Sequence, residues 1–68
     1  MDMRKLVGRN VRAARIKLGV TQERLAEVSG FSQQYISDLE RGRRNPTIVS
    51  LYELAQALEV SAIDLLTA

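Results

Sequence analysis

Apolar residues recur along this chain at intervals of three and four rather than two, which is the spacing of amphipathic helices. Leu6, Val7, Val11, Ala14 and Leu18 share one face of the first stretch, while Arg4, Lys5, Arg9, Arg12 and Lys17 fall mostly elsewhere. This predicts a helix over about 2–18, stopped by Gly19, with Val20 tucking inward before the next start. Gly8 lies inside that helix at a cost of roughly 1 kcal/mol relative to alanine, which close packing against a neighbouring helix would explain. Thr21 is a good N-cap, Leu25, Ala26 and Val28 form an apolar stripe, and Gly30 ends a second helix of about 22–29. Ser32 caps a third of about 33–41, in which Ile36 and Leu39 recur behind Gln33 and Gln34. Gly42 suits the position after that helix, and Pro46 confines Asn45 to extended backbone. Thr47 caps a fourth helix of about 48–58, with Ile48, Leu51, Leu54, Ala55 and Leu58 turned inward. Ser61 and Asp64 have capping-box spacing and open a short fifth helix of about 62–67 that buries Ile63 and Leu66. No repeat, linker or low-complexity segment interrupts the pattern. The expected fold is all-α, a compact five-helix bundle forming one domain over residues 1–68.

Composition narrows the chemistry. At 68 residues the chain is near the lower limit for folding without a staple. It has neither cysteine nor histidine, so disulfides are excluded and no metal site is expected. Stability has to come from packing, for which a hydrophobic content of 46% is enough. No apolar run is long enough to span a bilayer. The N-terminus, MDMRKLVGRN, has charges but no apolar segment behind them, so it is not read as a secretory signal. The cytoplasm is the default compartment. The net charge of +2 conceals an asymmetry: all ten Lys and Arg precede residue 45, and the acids Glu53, Glu59 and Asp64 follow it with no base among them. A basic part joined to an acidic part suggests one face for a polyanion and another for something else.

The segment Thr21–Glu40, TQERLAEVSGFSQQYISDLE, organises the rest. Two helices joined by so short a turn cross steeply, and small Ala26 lets them approach. Ala26, Gly30, Ile36 and Leu39 at their mutual spacing form the skeleton of a DNA-binding helix-turn-helix. The chain from about Leu6 to Leu66 resembles the Cro/repressor-type family, also called the xenobiotic-response-element family. That resemblance implies a lambda-repressor-like fold whose helix-turn-helix is formed by helices 2 and 3.

It also implies roles for particular residues. Gln33 and Gln34 stand where the recognition helix enters a major groove, and a glutamine amide matches the N6 and N7 edge of adenine. Ser37 and Asp38 lie further along the same helix. For Asp38 the expectation is weaker, since an acid near phosphate is repelled unless it meets a cytosine amino group. Ser32, at the cap, belongs to the same surface. Gln22 follows the Thr21 cap, where free amides and the helix dipole attract phosphate; in the family a glutamine here clamps the DNA backbone and braces a recognition-helix glutamine. Arg43 and Arg44 have guanidinium forks suited to phosphate, Asn45 offers a further phosphate hydrogen bond, and Tyr35 is a secondary candidate that could equally shield Leu25. The bland alternative for all of these is a solvated polar surface, and for Arg9 and Arg12 on the first helix the two readings balance. Arg15 and Glu40 resemble an Arg–Glu pair that joins the first helix to the end of the third, and are read as a structural brace.

The function this implies is sequence-specific binding of double-stranded DNA by a transcriptional regulator. One recognition helix reads few bases, so a homodimer on a palindromic operator is expected, with Ile48, Tyr52, Leu65 and Leu66 in the 48–66 region as its candidate surface. The absence of a following sensor domain suggests a minimal form, similar to Cro-like repressors and to controller proteins of restriction–modification systems. The alternative is a protein-interaction module, such as an antitoxin or antiactivator, whose binding would survive loss of Gln33, Gln34 and Arg43. Catalysis is not expected: the acids are explained by caps and ion pairs. No cofactor, small-molecule ligand or membrane partner is expected.

Overall fold

Four residues with short oxygen-bearing side chains set where the helices begin. Asp2, Thr21, Ser32 and Thr47 have extended backbones. Each accepts a first-turn amide at 3.0 Å, from Arg4, Arg24, Tyr35 and Ser50 respectively. Those donors have no partner within the helix, and a cap of this kind stabilises by about 1 kcal/mol. The helices are α1 (Met3–Leu18), α2 (Gln22–Ser29), α3 (Gln33–Glu40) and α4 (Ile48–Leu58), in a computed structural model that describes residues 2–68. Met1, the first residue of the expected 1–68 domain, lies outside the described residues. No strand occurs among the described residues, and the fold is all-α.

The helices end as specifically as they start. Gly42 takes a left-handed backbone at φ 77°, which lets its own amide reach the Leu39 carbonyl and the Arg43 amide reach that of Asp38, at 3.0 and 2.9 Å. This double closure satisfies carbonyls that the end of α3 would otherwise leave open. At the end of α4 the same closure is made by a non-glycine residue. Glu59 sits at φ 61°, and the Val60 amide reaches the Ala55 carbonyl at 3.0 Å.

Every element sends at least one side chain into a single core. Val11 from α1, Leu25 from α2, Ile36 and Leu39 from α3, Leu54 and Leu58 from α4, and Leu65 after it are all buried. Gly8 has a packing reason for its place in α1: a Cβ there would collide with the carbonyl oxygen of Leu39 and lie 3.1 Å from that of Glu40. The backbones of α1 and α3 therefore touch, and only glycine permits it.

Several expectations fail in instructive ways. The fifth element is not an α-helix over 62–67 but a 3-10 turn over Ala62–Leu65, so the described residues form four α-helices rather than five. With three residues per turn, positions i and i+3 eclipse. Ala62 and Leu65 point to the core, whereas Ile63 and Leu66 are 68% and 42% exposed. The expected burial of Ile63 and Leu66 is thus reversed, and Leu65, at 1% exposure, is not free to serve a partner. Asn10 fastens this turn to α1, its amide donating to the carbonyls of Leu65 and Thr67 at 3.0 and 2.9 Å. Ile48 is 87% exposed because it begins α4, one turn before the buried face starts at Leu51. Val28 and Leu18 also lie at the surface.

Candidate nucleic-acid interface

The segment joining α2 to α3 is three residues long, Gly30–Ser32. Burial of Ile36 and Leu39 fixes the rotation of α3, and helical spacing then sets Gln33, Gln34, Ser37 and Asp38 away from the core, with Arg41 following the helix end. Gln33, Gln34 and Arg41 are exposed, while Ser37 and Asp38 are half-buried. Ser32 spends its hydroxyl oxygen accepting the Tyr35 amide, which leaves its O–H free to donate outward.

A second layer folds back from the loop after α3. Gln34 Nε2 donates to Asp38 Oδ1 at 3.0 Å, and Asp38 Oδ2 lies 3.9 Å from Arg44 Nε. The Arg44 guanidinium sits over the Tyr35 ring at 5.2 Å, a cation–π arrangement. Tyr35 in turn stacks on Phe31 with centroids 4.7 Å apart and planes 14° from parallel. Arg43 and Asn45, the chain neighbours of Arg44, are exposed. Gln34, Asp38, Arg44 and Tyr35 therefore form one connected group rather than independent surface residues.

Beneath it lies a brace. Arg15 donates from Nε and Nη2 to both carboxylate oxygens of Glu40, at 2.6 and 3.1 Å, and from Nη1 to the Val20 carbonyl at 3.0 Å. Gln22 Nε2 adds a third bond to Glu40 at 3.0 Å. The expectation of Gln22 linked to a recognition-helix glutamine is not what the geometry shows, because its amide is held by Glu40 at the far end of α3. The bidentate bond to Glu40 raises the Arg15 pKa above its ordinary value, against desolvation that lowers it. A raised folded-state pKa is stabilising below the unfolded value and is lost only as pH rises through the folded one. For arginine that window is strongly alkaline, so this guanidinium contributes no stability change near neutral pH.

Two further basic residues lie near α3 and the loop after it. Arg41, exposed just past the end of α3, lies four residues after Ser37 and seven after Gln34, a spacing that could have identified it. Lys5 lies against Gly42, where an added Cβ would come within 2.9 Å of its Cγ; no sequence pattern links residues so far apart. Arg9 and Arg12 are exposed on α1.

Several apolar side chains are also exposed. Met3, Ile48, Val49, Tyr52, Ile63 and Leu66 are all exposed, and Met3, Ile48 and Leu66 rim one shallow hollow with Asn45, Pro46 and Thr47. Among the described residues no group of acids could hold a metal ion, and no helix is long and apolar enough to cross a membrane.

A small all-α domain with two short helices at a three-residue turn, amides outward on the second and arginines beside it, defines the helix-turn-helix class. The helix-turn-helix family model matches residues 11–65, and the chain belongs to that family. Over 67 residues it is 64% identical to an uncharacterized HTH-type transcriptional regulator, y4dJ, of Sinorhizobium fredii, covering 98% of this chain and 87% of the relative. It is 43% identical to the control protein C.SmaI of Serratia marcescens, covering 98% and 80%. Among solved structures it is similar to the restriction–modification controller protein C.AhdI from Aeromonas hydrophila. The TM-score is 0.87 at 35% identity, covering 91% of this chain and 90% of that one. By family the chain is a DNA-binding transcriptional regulator.

Proposed function

We propose that α3 is the recognition helix of this regulator, inserted into the major groove with Gln33 and Gln34 on base edges. The observation that carries this is the division of α3: Ile36 and Leu39 are fully buried while Gln33 and Gln34 face solvent. Two amides are thereby presented on a rigid support. Ser32, Ser37, Arg43, Arg44 and Asn45 border the same face and suit phosphate oxygens. Gln22 and Tyr35 take part at the margin, Gln22 through the unpaired N–H and carbonyl of its amide. Arg15 and Glu40 hold α1 to the end of α3 and contact no DNA.

One such helix reads too few bases for useful discrimination, so two copies on a palindrome are proposed, with half-sites roughly 10 base pairs apart. The exposed apolar surface around Ile48, Tyr52 and Leu66 suits the second copy, and a different protein partner there is the rival outcome. Residues 1–68 act as one domain, without catalysis, where the DNA is, in the cytoplasm. The test is duplex binding across a salt series. Each neutralised phosphate adds about 0.9 to the slope of log affinity against log salt. Arg43→Ala is expected to lower that slope by about 1 and to weaken all sequences alike; an unchanged slope would place Arg43 off the DNA.

A further inference from the structure

We infer that Asp38 is a positioning residue for base reading: it touches no base itself but sets the orientation of Gln34 and the placement of Arg44. This rests on α3 being the recognition helix.

An acid on a helix aimed at a polyanion is unfavourable unless its charge is offset, and here both oxygens are turned to the protein. Oδ1 accepts from Gln34 Nε2 at 3.0 Å and Oδ2 lies 3.9 Å from Arg44 Nε, in a side chain only 21% exposed. The consequence for Gln34 follows from the chemistry of an amide. Its nitrogen carries two N–H groups and its oxygen accepts. One N–H is taken by Asp38. What remains is the other N–H and the oxygen itself. That donor and acceptor are what the N7 and N6 edge of adenine needs. The reversed amide would set its oxygen against a carboxylate, two acceptors facing each other, so Asp38 forbids it. A free glutamine can turn either way until it meets a base; this one is held to a single presentation beforehand.

Arg44 is placed by the same carboxylate. Lying between Asp38 and the Tyr35 ring, at 5.2 Å from the centroid, its guanidinium is drawn to the flank of α3, and Tyr35 is in turn stacked on Phe31. Asp38 thus ties a base-reading amide to a phosphate-binding cation. The backbone bond that closes α3, from the Arg43 amide to the Asp38 carbonyl at 2.9 Å, does not involve the side chain, so substituting Asp38 leaves the helix end intact.

The experiment is selection from randomised duplexes by wild type, Gln34→Ala, Asp38→Ala, Asp38→Asn and the Gln34→Ala/Asp38→Ala double variant. The base pair at which Gln34→Ala loses its preference identifies the position read. Asp38→Ala is expected to cut adenine preference there by roughly tenfold and leave the remaining positions alone. Asp38→Asn, which keeps an acceptor, retains most of that preference, and the double variant matches Gln34→Ala. In the free protein, relaxation of the Gln34 side-chain amide should show greater mobility in Asp38→Ala than in wild type. Preference unchanged in Asp38→Ala, or changed at a pair that Gln34→Ala leaves untouched, overturns the inference, the second because Asp38 would then read a base directly. Unchanged Gln34 mobility also overturns it. If wild type enriches no sequence at all, base reading by α3 itself fails, an outcome visible without any variant, and the role of Asp38 falls with it.

Discussion

Glu40 is the residue on which the placement of three elements converges. Its side chain is 3% exposed and accepts from Arg15 on α1 and Gln22 on α2, while it belongs to α3. Removing one partner of a buried pair strands the other charge. Arg15→Met is therefore expected to cost about 3–5 kcal/mol in urea denaturation, with Arg15→Met/Glu40→Leu recovering part of it. A loss below about 1 kcal/mol, the range of surface pairs, would contradict the brace. The sequence revealed Arg15 and Glu40 as partners only through a family resemblance, since nothing in their spacing brings them together. The bond from Gln22 to Glu40 was not legible at all. Which acceptor an amide finds depends on the crossing of α2 and α3, and that crossing is set by packing rather than by periodicity.

At the scale of elements, the caps and glycine stops are local and were readable: Thr21, Ser32 and Thr47 each bond an amide a few residues away. What periodicity could not supply was the depth and phase of each face. Ile48 fits the apolar repeat of α4 yet stands in its first turn, beyond the core. Ile63 and Leu66 fit a helical repeat, but the chain leaves α4 in a phase that sends Ala62 and Leu65 inward instead. Glu59 in a left-handed backbone was equally hidden, because a glutamate carries no turn signal. Gly8 is the reverse case, a local cost whose cause is the contact of α1 with α3. By propensity alone Gly8→Ala would stabilise by roughly 1 kcal/mol. The collision with the end of α3 should reverse the sign, with destabilisation of about 1–3 kcal/mol from overpacking. A thermal melt distinguishes the two, and a raised midpoint would contradict the close approach.

For the whole molecule, the proposed division of work is that α3 and the loop after it face DNA while the start of α4 with the 3-10 turn faces a second copy. Ile48→Asp places a charge at the most exposed apolar residue of that patch without touching the core. It is expected to raise the dimer dissociation constant in sedimentation by tenfold or more, about the 1.4 kcal/mol or greater that a central interface residue carries. Affinity for a palindrome should fall while affinity for a single half-site holds. An unchanged association constant would assign the patch to another partner. Base reading by the exposed start of α3 is tested by selection from a randomised duplex pool at near-physiological salt, with Gln33→Ala beside wild type. Wild type is expected to enrich a palindrome, and the variant to lose preference at one base pair in each half-site. Salt-sensitive binding that enriches nothing, or a motif identical in the variant, would contradict it.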